Sequence, residues 1–104
     1  MKKVVQVRCR LSRGGFANEG IFAIASPEGG EFVGTAPLHY CRDSHRNKFA
    51  HELREEVNGF VIGVVIGTTQ DGRPRVYLPD SEVYDLSDDV LEIVEDSNSV
   101  PVRA

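Results

Sequence analysis

Apolar side chains occupy every second position from position 5 to position 11, and the positions between them are polar. A period of two with one polar side is typical of a half-buried β-strand, so residues 4–11 are predicted to form a strand. The glycine pair at positions 14–15 ends this pattern, because glycine readily adopts turn conformations.

A β-hairpin is predicted next. Residues 20–26 and 31–36 are rich in residues that favour strands, and residues 27–30 (Pro-Glu-Gly-Gly) between them are a strong turn signal. Pro37 ends the second of these strands, since proline cannot donate a hydrogen bond to a central ladder.

The second half of the chain contains the remaining predicted strands. Residues 60–67 are rich in β-branched residues and are apolar on both sides, which is typical of a strand buried on both faces. Shorter strands are predicted over residues 74–79, 82–84 and 90–94, with a helix as the alternative for the last of them. Ser87 and the two aspartates after it predict a single helical turn before that strand.

One segment has helical spacing, with apolar residues at Phe49, Ala50, Leu53 and Val57. This pattern predicts a short helix over about 46–57. Asn47 or Ser44 would cap its start, and Gly59 suits the position just past its end.

Few helical residues and many tight turns predict a mainly β fold, a small antiparallel barrel of five to six strands with one short helix. A barrel whose helix lies between strands three and four resembles the OB-fold. The second half is more similar to an SH3-like barrel: residues 61–67 lead to a turn at 71–72, residues 75–80 follow, and a single turn at 86–89 precedes the last strand. Both alternatives, SH3-like and OB-like, stay open.

The chain has 104 residues, the size of one ordinary domain, and its 40% hydrophobic and 27% charged residues are typical of a globular protein. The basic residues at the start are not followed by the apolar stretch that a signal peptide needs. The longest apolar run, residues 60–66, is too short to cross a bilayer. We therefore expect a cytoplasmic protein, with one barrel domain at 1–96 and a flexible C-terminal tail at 97–104.

The net charge of −4 is unevenly distributed along the chain. Residues 1–54 carry a net charge of +4 and residues 55–104 a net charge of −8, with eight acids and no base between positions 80 and 96. The acidic run is interpreted as a solvated face that keeps the protein soluble. The alternative is a basic face on the first half that attracts an anionic partner.

Residues 39–46 hold the densest set of chemically active side chains. A zinc site would use His39, Cys41 and His45, with Cys9 or His51 as the fourth ligand. That spacing matches no standard zinc motif, and nothing around Cys41 resembles the setting of a catalytic thiolate. We interpret the segment as a polar loop with Cys41 packed inward, expect both cysteines to be reduced, and predict no metal site, no cofactor and no enzymatic activity.

Small barrels often bind other molecules through a basic surface with aromatic side chains. The candidate binding residues of this chain are Arg8, Arg10, Phe22, Phe32, Tyr40, Arg42, Arg46 and Lys48. The acidic net charge and an isoelectric point near 5.3 count against nucleic acid. The sequence therefore favours a non-enzymatic binding module for a protein partner or a second copy of the chain, with a nucleic-acid-associated barrel as the alternative and no membrane partner.

Overall fold

A computed structural model of the protein describes residues 3–84, 86, 90–93 and 99–101, the last three without their side chains. Within these residues nine strands form one sheet. They are β1 (Lys3–Arg13), β2 (Glu19–Ala25), β3 (Glu31–Pro37), β4 (Cys41–Asp43), β5 (Val57–Thr68), β6 (Pro74–Tyr77), β7 (Glu82–Val83), β8 (Val90–Glu92) and β9 (Ser99–Pro101).

The strands form a nearly closed antiparallel barrel. The order around the barrel is β7-β3-β2-β1-β5-β6-β8, with β4 added beside β5 and β9 beside β1. The longest pairing joins β1 and β5, from Lys3 opposite Val65 to Leu11 opposite Val57. The predicted small, mainly β barrel is confirmed, but its order alone contains seven strands, more than the expected five to six, and β4 and β9 add two more.

The core is built from the alternating side chains that the sequence singled out. On β1 the apolar series from Val5 to Leu11 is buried and Arg8 and Arg10 are exposed, as predicted, whereas Gln6 on the predicted polar face is buried as well. Among the largest fully buried side chains elsewhere are Phe22, Ile24, Val61, Val76 and Leu91 on other strands, with Leu78 and Ile93 directly after β6 and β8. Burying a side chain of this size contributes roughly 1.5–3 kcal/mol, so the barrel interior is the main source of stability.

The predicted helix over 46–57 is wrong, because residues 47–56 form an irregular loop. Asp43 closes a turn at the start of this loop, where its Oδ1 accepts hydrogen bonds from the backbone N–H groups of His45 and Asn47, each at 2.9 Å. Leu53 is nevertheless 4% exposed and packs on the core without being helical. A helix this short forms only when tertiary packing stabilises it. Here the packing of the segment on the core stabilises an irregular loop rather than a helix. In the described part of the chain the helical element is a 3-10 turn at Leu38–Tyr40.

Glycines have two distinct uses in the fold. Gly29 and Gly30 have φ angles of 95° and 73° in the turn between β2 and β3, as the Pro-Glu-Gly-Gly signal predicted. Gly59 lies inside β5 rather than past a helix end, and a Cβ atom there would collide with the backbone carbonyl oxygen of Arg42 on β4. The close approach of β4 to β5 therefore requires glycine at this position.

The end of the chain is only partly described. The first three residues of the strand predicted over 90–94 form β8, and the predicted turn at Ser87 lies outside the described residues. Residues 99–101, within the range predicted as a tail, pair with β1 as β9, and the boundary at residue 96 stays a prediction. No helix in the described ranges is long and apolar enough to cross a membrane.

Candidate functional site

Three side chains form a row across the outer surface of the barrel. Phe60 on β5 lies opposite Arg8 on β1 and opposite Arg42 on β4. Residues directly opposite each other on neighbouring strands project from the same face of a sheet. Their sequence neighbours Cys9, Val61 and Cys41 are in the core, so this row points away from it.

Phe60 is only 3% exposed, although it does not belong to the core cluster. Two arginine side chains lie over its ring: the Cζ atom of Arg8 is 5.2 Å from the ring centroid and that of Arg46 is 5.5 Å from it. Both distances are within the range of a cation–π interaction, about 6 Å. The Phe60 ring is therefore contacted by two guanidinium groups. We call Arg8, Phe60 and Arg46 the arginine cluster.

Arg46 reaches the ring from the loop that follows β4, with an unusual backbone conformation. Its φ is 68°, in the left-handed region that non-glycine residues rarely adopt. The turn made by Asp43 stabilises this conformation, since the N–H of Arg46 donates to the carbonyl oxygen of Asp43 at 2.9 Å. Such strain costs on the order of 1–3 kcal/mol and is concentrated at functional sites.

A cleft of about 480 Å³ lies beside the arginine cluster. Ala23 and Ala25 of β2 belong to its lining, and Ser44 and Asn58 line it from the loop and from β5. Arg8 and Phe60 contribute to the lining as well. Because the alanines project only a methyl group from the sheet, the outer face is concave there.

Arg10 also lines the cleft, but its charge is balanced within the protein. Its Nη2 atom is 2.5 Å from Oε1 of Glu31, and its Nη1 atom is 2.7 Å from Oε1 of Glu56. Hydrogen bonding and attraction to Arg10 lower the pKa of Glu31, and the two glutamates raise the pKa of Arg10. Arg10 is thus a member of an ion-pair network rather than an open basic residue.

The remaining predicted basic residues are less central. Arg42 shares the row with Phe60, but its Nη1 atom donates to the backbone carbonyl oxygens of His39 and Cys41 at 2.7 and 2.8 Å. Lys48 is exposed in the loop, and in the described part of the chain it makes no ion pair or hydrogen bond.

None of the three predicted aromatic platforms joins the arginine cluster. Phe22 is fully buried in the core, and Phe32 is half-buried against it. Tyr40 donates a hydrogen bond from its hydroxyl to Oδ2 of Asp80 at 3.2 Å, which raises the pKa of Tyr40. The aromatic residue of the cluster is Phe60, which the sequence pattern placed in a strand buried on both sides. Phe60 lies beside Arg8 because of the register in which β1 and β5 pair. The sequence of a single strand does not give that register.

The two cysteines are buried, unbonded thiols. Cys41 is fully buried, and burial raises its pKa to about 12. Burial also raises the pKa of Cys9, with a further contribution from Cys41. A nucleophilic or metal-binding cysteine needs an accessible thiolate, and neither residue provides one. Among the described residues no three His, Cys, Asp or Glu side chains are grouped so that they could hold a metal ion.

The geometry is that of a concave surface lined by Arg8 and by the ion-paired Arg10, with Arg46 on the Phe60 ring next to it. Planar guanidinium groups bind carboxylate and phosphate oxygens through paired hydrogen bonds. The site is therefore suited chemically to an anionic ligand. In comparisons with protein-family models, curated proteins and solved structures, none matches this chain.

Proposed function

We propose that the protein is a non-enzymatic binding module whose cleft beside the arginine cluster docks an acidic segment of a partner protein. The observation that carries the proposal is that Arg8 and Arg46 lie over a single phenylalanine ring at the edge of a 480 Å³ cleft. An acidic side chain in that cleft would meet the guanidinium group of Arg8, which lies over the same ring that Arg46 contacts from outside the cleft lining.

Preorganisation supports this proposal. A long exposed arginine normally loses side-chain entropy when it binds, at about 0.5–1.5 kcal/mol for each immobilised side chain. Stacking on Phe60 restricts Arg8 and Arg46 before a ligand arrives. The left-handed backbone of Arg46 supports the same conclusion, since a strained residue persists where the surrounding structure fixes it.

A protein partner is favoured over nucleic acid for two reasons. Single-stranded nucleic acid binds by stacking its bases on open aromatic rings, and the ring of Phe60 is only 3% exposed beneath two arginines. Glu31 also lines the cleft, and its carboxylate would repel a continuous phosphate backbone more than it would a single acidic side chain.

The non-enzymatic part of the proposal is supported by the thiols. A cysteine nucleophile attacks as the thiolate, and Cys41 is fully buried with its Sγ directed at the carbonyl oxygen of Pro37, 3.6 Å away. Its raised pKa of about 12 keeps it protonated at neutral pH.

A peptide-binding series tests the proposal. Fluorescence anisotropy would measure the affinity of a labelled peptide that alternates glutamate and valine, with a glutamine–valine peptide as the neutral control. We expect Arg8→Gln and Arg46→Gln each to weaken binding about 3- to 10-fold, as expected for losing one charge-assisted hydrogen-bonding group. Arg54→Gln, an exposed arginine of the same loop, is the matched control and should leave the affinity unchanged.

Three results would overturn the proposal. They are no binding of the acidic peptide at low salt, equal binding of both peptides, or the same affinity for the Arg46→Gln variant as for the wild type. Tighter binding of single-stranded DNA than of the acidic peptide would favour the nucleic-acid alternative instead.

Homodimerisation is the second candidate function, and a separate surface favours it. Val4, Val64 and Tyr77 lie opposite one another across β1, β5 and β6, on the outer face. Val4 is 44% exposed and Tyr77 39%, so the apolar face of β5 is incompletely covered, although strands of this composition are usually buried on both sides. Sedimentation velocity of the wild type and of Tyr77→Lys would show whether a second copy covers it.

We further propose a topology class and a location for the protein. SH3-like or OB-like topology is the first of these proposals, and it would be tested by comparing the strand order β7-β3-β2-β1-β5-β6-β8 with members of each class. A cytoplasmic location is the other, and a fluorescent fusion of the full chain would test it.

A further inference from the structure

Arg10 separates two depressions on the outer face of the barrel. One is the 480 Å³ cleft beside the arginine cluster, and the other has a volume of about 200 Å³ and is lined by Ser12, Ile21 and Val33. Both are lined by Arg10 and Ala23, so the two depressions meet at these residues.

The ion pairs of Arg10 cross the sheet at this point. Arg10 lies on β1 and Glu31 on β3, with β2 between them, so their side chains meet over β2. The strand below them carries Ala23 opposite Arg10 and Ala25 opposite Glu31, which leaves room for the crossing. Glu56 contacts the same guanidinium group from the loop before β5. We call Arg10, Glu31 and Glu56 the strap.

The ion pairs of the strap are exposed, so a carboxylate of a partner can compete with Glu31 and Glu56 for Arg10. The exposed fractions of its side chains are 47% for Arg10, 40% for Glu31 and 55% for Glu56. Exposed ion pairs contribute little to stability because water solvates the separated charges well. A carboxylate from another molecule could thus replace Glu31 or Glu56 at Arg10 with little change in energy.

We propose that the strap is an internal competitor for the acidic partner, so that a partner carboxylate displaces Glu31 and Glu56 from Arg10 and joins the two depressions into one groove. This inference rests on the proposed function. The joined groove runs from Arg8 to Ser12 along β1, roughly 13 Å. Its occupant is an extended segment with acidic side chains near Arg8 and Arg10 and an apolar side chain over Ile21 and Val33.

The charges of the strap predict the direction of the effect. One arginine and two glutamates carry a net charge of −1, so an arriving carboxylate meets both competition for Arg10 and repulsion from the glutamates. Neutralising either glutamate removes part of both effects. Glu31→Gln and Glu56→Gln should therefore bind the glutamate–valine peptide about 2- to 5-fold more tightly than the wild type, as expected for exposed pairs.

A matched control separates the strap from a general change in charge. Glu55→Gln alters the same net charge at the neighbouring exposed position, which makes no ion pair among the described residues, and should change the affinity less than Glu56→Gln. Equal gains for Glu55→Gln and Glu56→Gln, or an unchanged or weaker affinity of the Glu31→Gln variant, would overturn the inference.

A second readout distinguishes failure of the strap from failure of the proposed function. The side-chain Nε–H signal of Arg10 in nitrogen-15 NMR spectra should shift in Glu31→Gln without peptide, and should shift in the wild type on adding the glutamate–valine peptide. One outcome is that the peptide binds, with a lower affinity in Arg46→Gln, while the Arg10 signal stays unchanged. In that case the inference about the strap is wrong and the proposed function is supported. If no peptide binds, both are wrong.

Discussion

Arg46 holds its guanidinium carbon 5.5 Å from the centroid of the Phe60 ring while its own backbone is in the left-handed region, with φ at 68°. The contact joins the loop after β4 to the outer face of β5. It also means that a residue with strained backbone geometry provides part of the cation–π cluster. Stability and binding are therefore expected to oppose each other at this position.

The first prediction separates backbone strain from the guanidinium contact. Arg46→Gly and Arg46→Ala both remove the side chain, but glycine alone adopts a positive φ without steric cost. We expect Arg46→Gly to be more stable than Arg46→Ala by about 1 kcal/mol, measured by urea denaturation. Both variants should lose affinity for the glutamate–valine peptide to the same extent. Equal stability of the two variants would show that the positive φ at this position is not strained.

The second prediction concerns the packing of β5 against β6. A Cβ atom at Gly63 would lie 2.5 Å from Cγ1 of Val76 and 2.9 Å from Cδ2 of Leu78, whereas nothing lies within 4 Å of a Cβ atom at Gly67. Gly63→Ala should therefore lower the free energy of unfolding by about 1–3 kcal/mol through overpacking. Gly67→Ala, in the same strand, should cause no loss. A comparable loss in both variants would contradict the interior packing described for β5.

The third prediction is a pH dependence. Hydrogen bonding to Arg10 lowers the pKa of Glu31 below the ordinary value for glutamate, about 4.3. The ionised carboxylate thus stabilises the folded state above that pH, and this contribution is lost as the pH falls through the lowered pKa of the folded protein. Carboxyl carbon-13 NMR titration should show the midpoint of Glu31 rising in Arg10→Gln. An unchanged midpoint would mean that the ion pair does not persist in solution.

The fourth prediction concerns the buried thiols. Cys9 and Cys41 are 5% and 0% exposed, and burial raises the pKa of both. A disulfide reagent such as dithionitrobenzoate should therefore react with neither in the folded protein at pH 8, and with both in urea. Rapid release of one equivalent of thionitrobenzoate from the folded protein would instead revive a reactive role for Cys41.

Local patterns predicted the strands well because each carries its own signal. The alternation along β1 identified which side faces the core, and the Pro-Glu-Gly-Gly turn positioned β2 and β3. The helix over 46–57 failed for a non-local reason. Phe49 and Leu53 pack on the core from an irregular loop, whose start is fixed by the turn at Asp43. Helical spacing in that segment was therefore insufficient to predict its conformation.

The candidate site was predictable only in part. Arg8 and Arg46 were among the predicted binding residues, because Arg8 lies on the polar face of the predicted first strand and Arg46 belongs to a basic cluster with Arg42 and Lys48. Their meeting at Phe60 depends on the pairing of β1 with β5 and on the path of the loop, and neither follows from local sequence. The same holds for Arg10, whose partners Glu31 and Glu56 are 21 and 46 residues away in the chain.

The fifth prediction concerns the ring that holds the two arginines. Phe60→Leu keeps an apolar side chain but removes the cation–π contacts with Arg8 and Arg46. Phe49→Leu is the matched control, since it makes the same change in a half-buried residue that packs on the core.

The affinity of the glutamate–valine peptide for these two variants tests the central claim most directly. Each cation–π contact at an exposed site contributes about 0.5–1 kcal/mol to holding its arginine in place, so losing both in Phe60→Leu should weaken binding by up to about 5- to 30-fold. Phe49→Leu should bind like the wild type. Equal affinities for Phe60→Leu and Phe49→Leu would contradict the claim that the Phe60 ring organises this surface for an acidic partner.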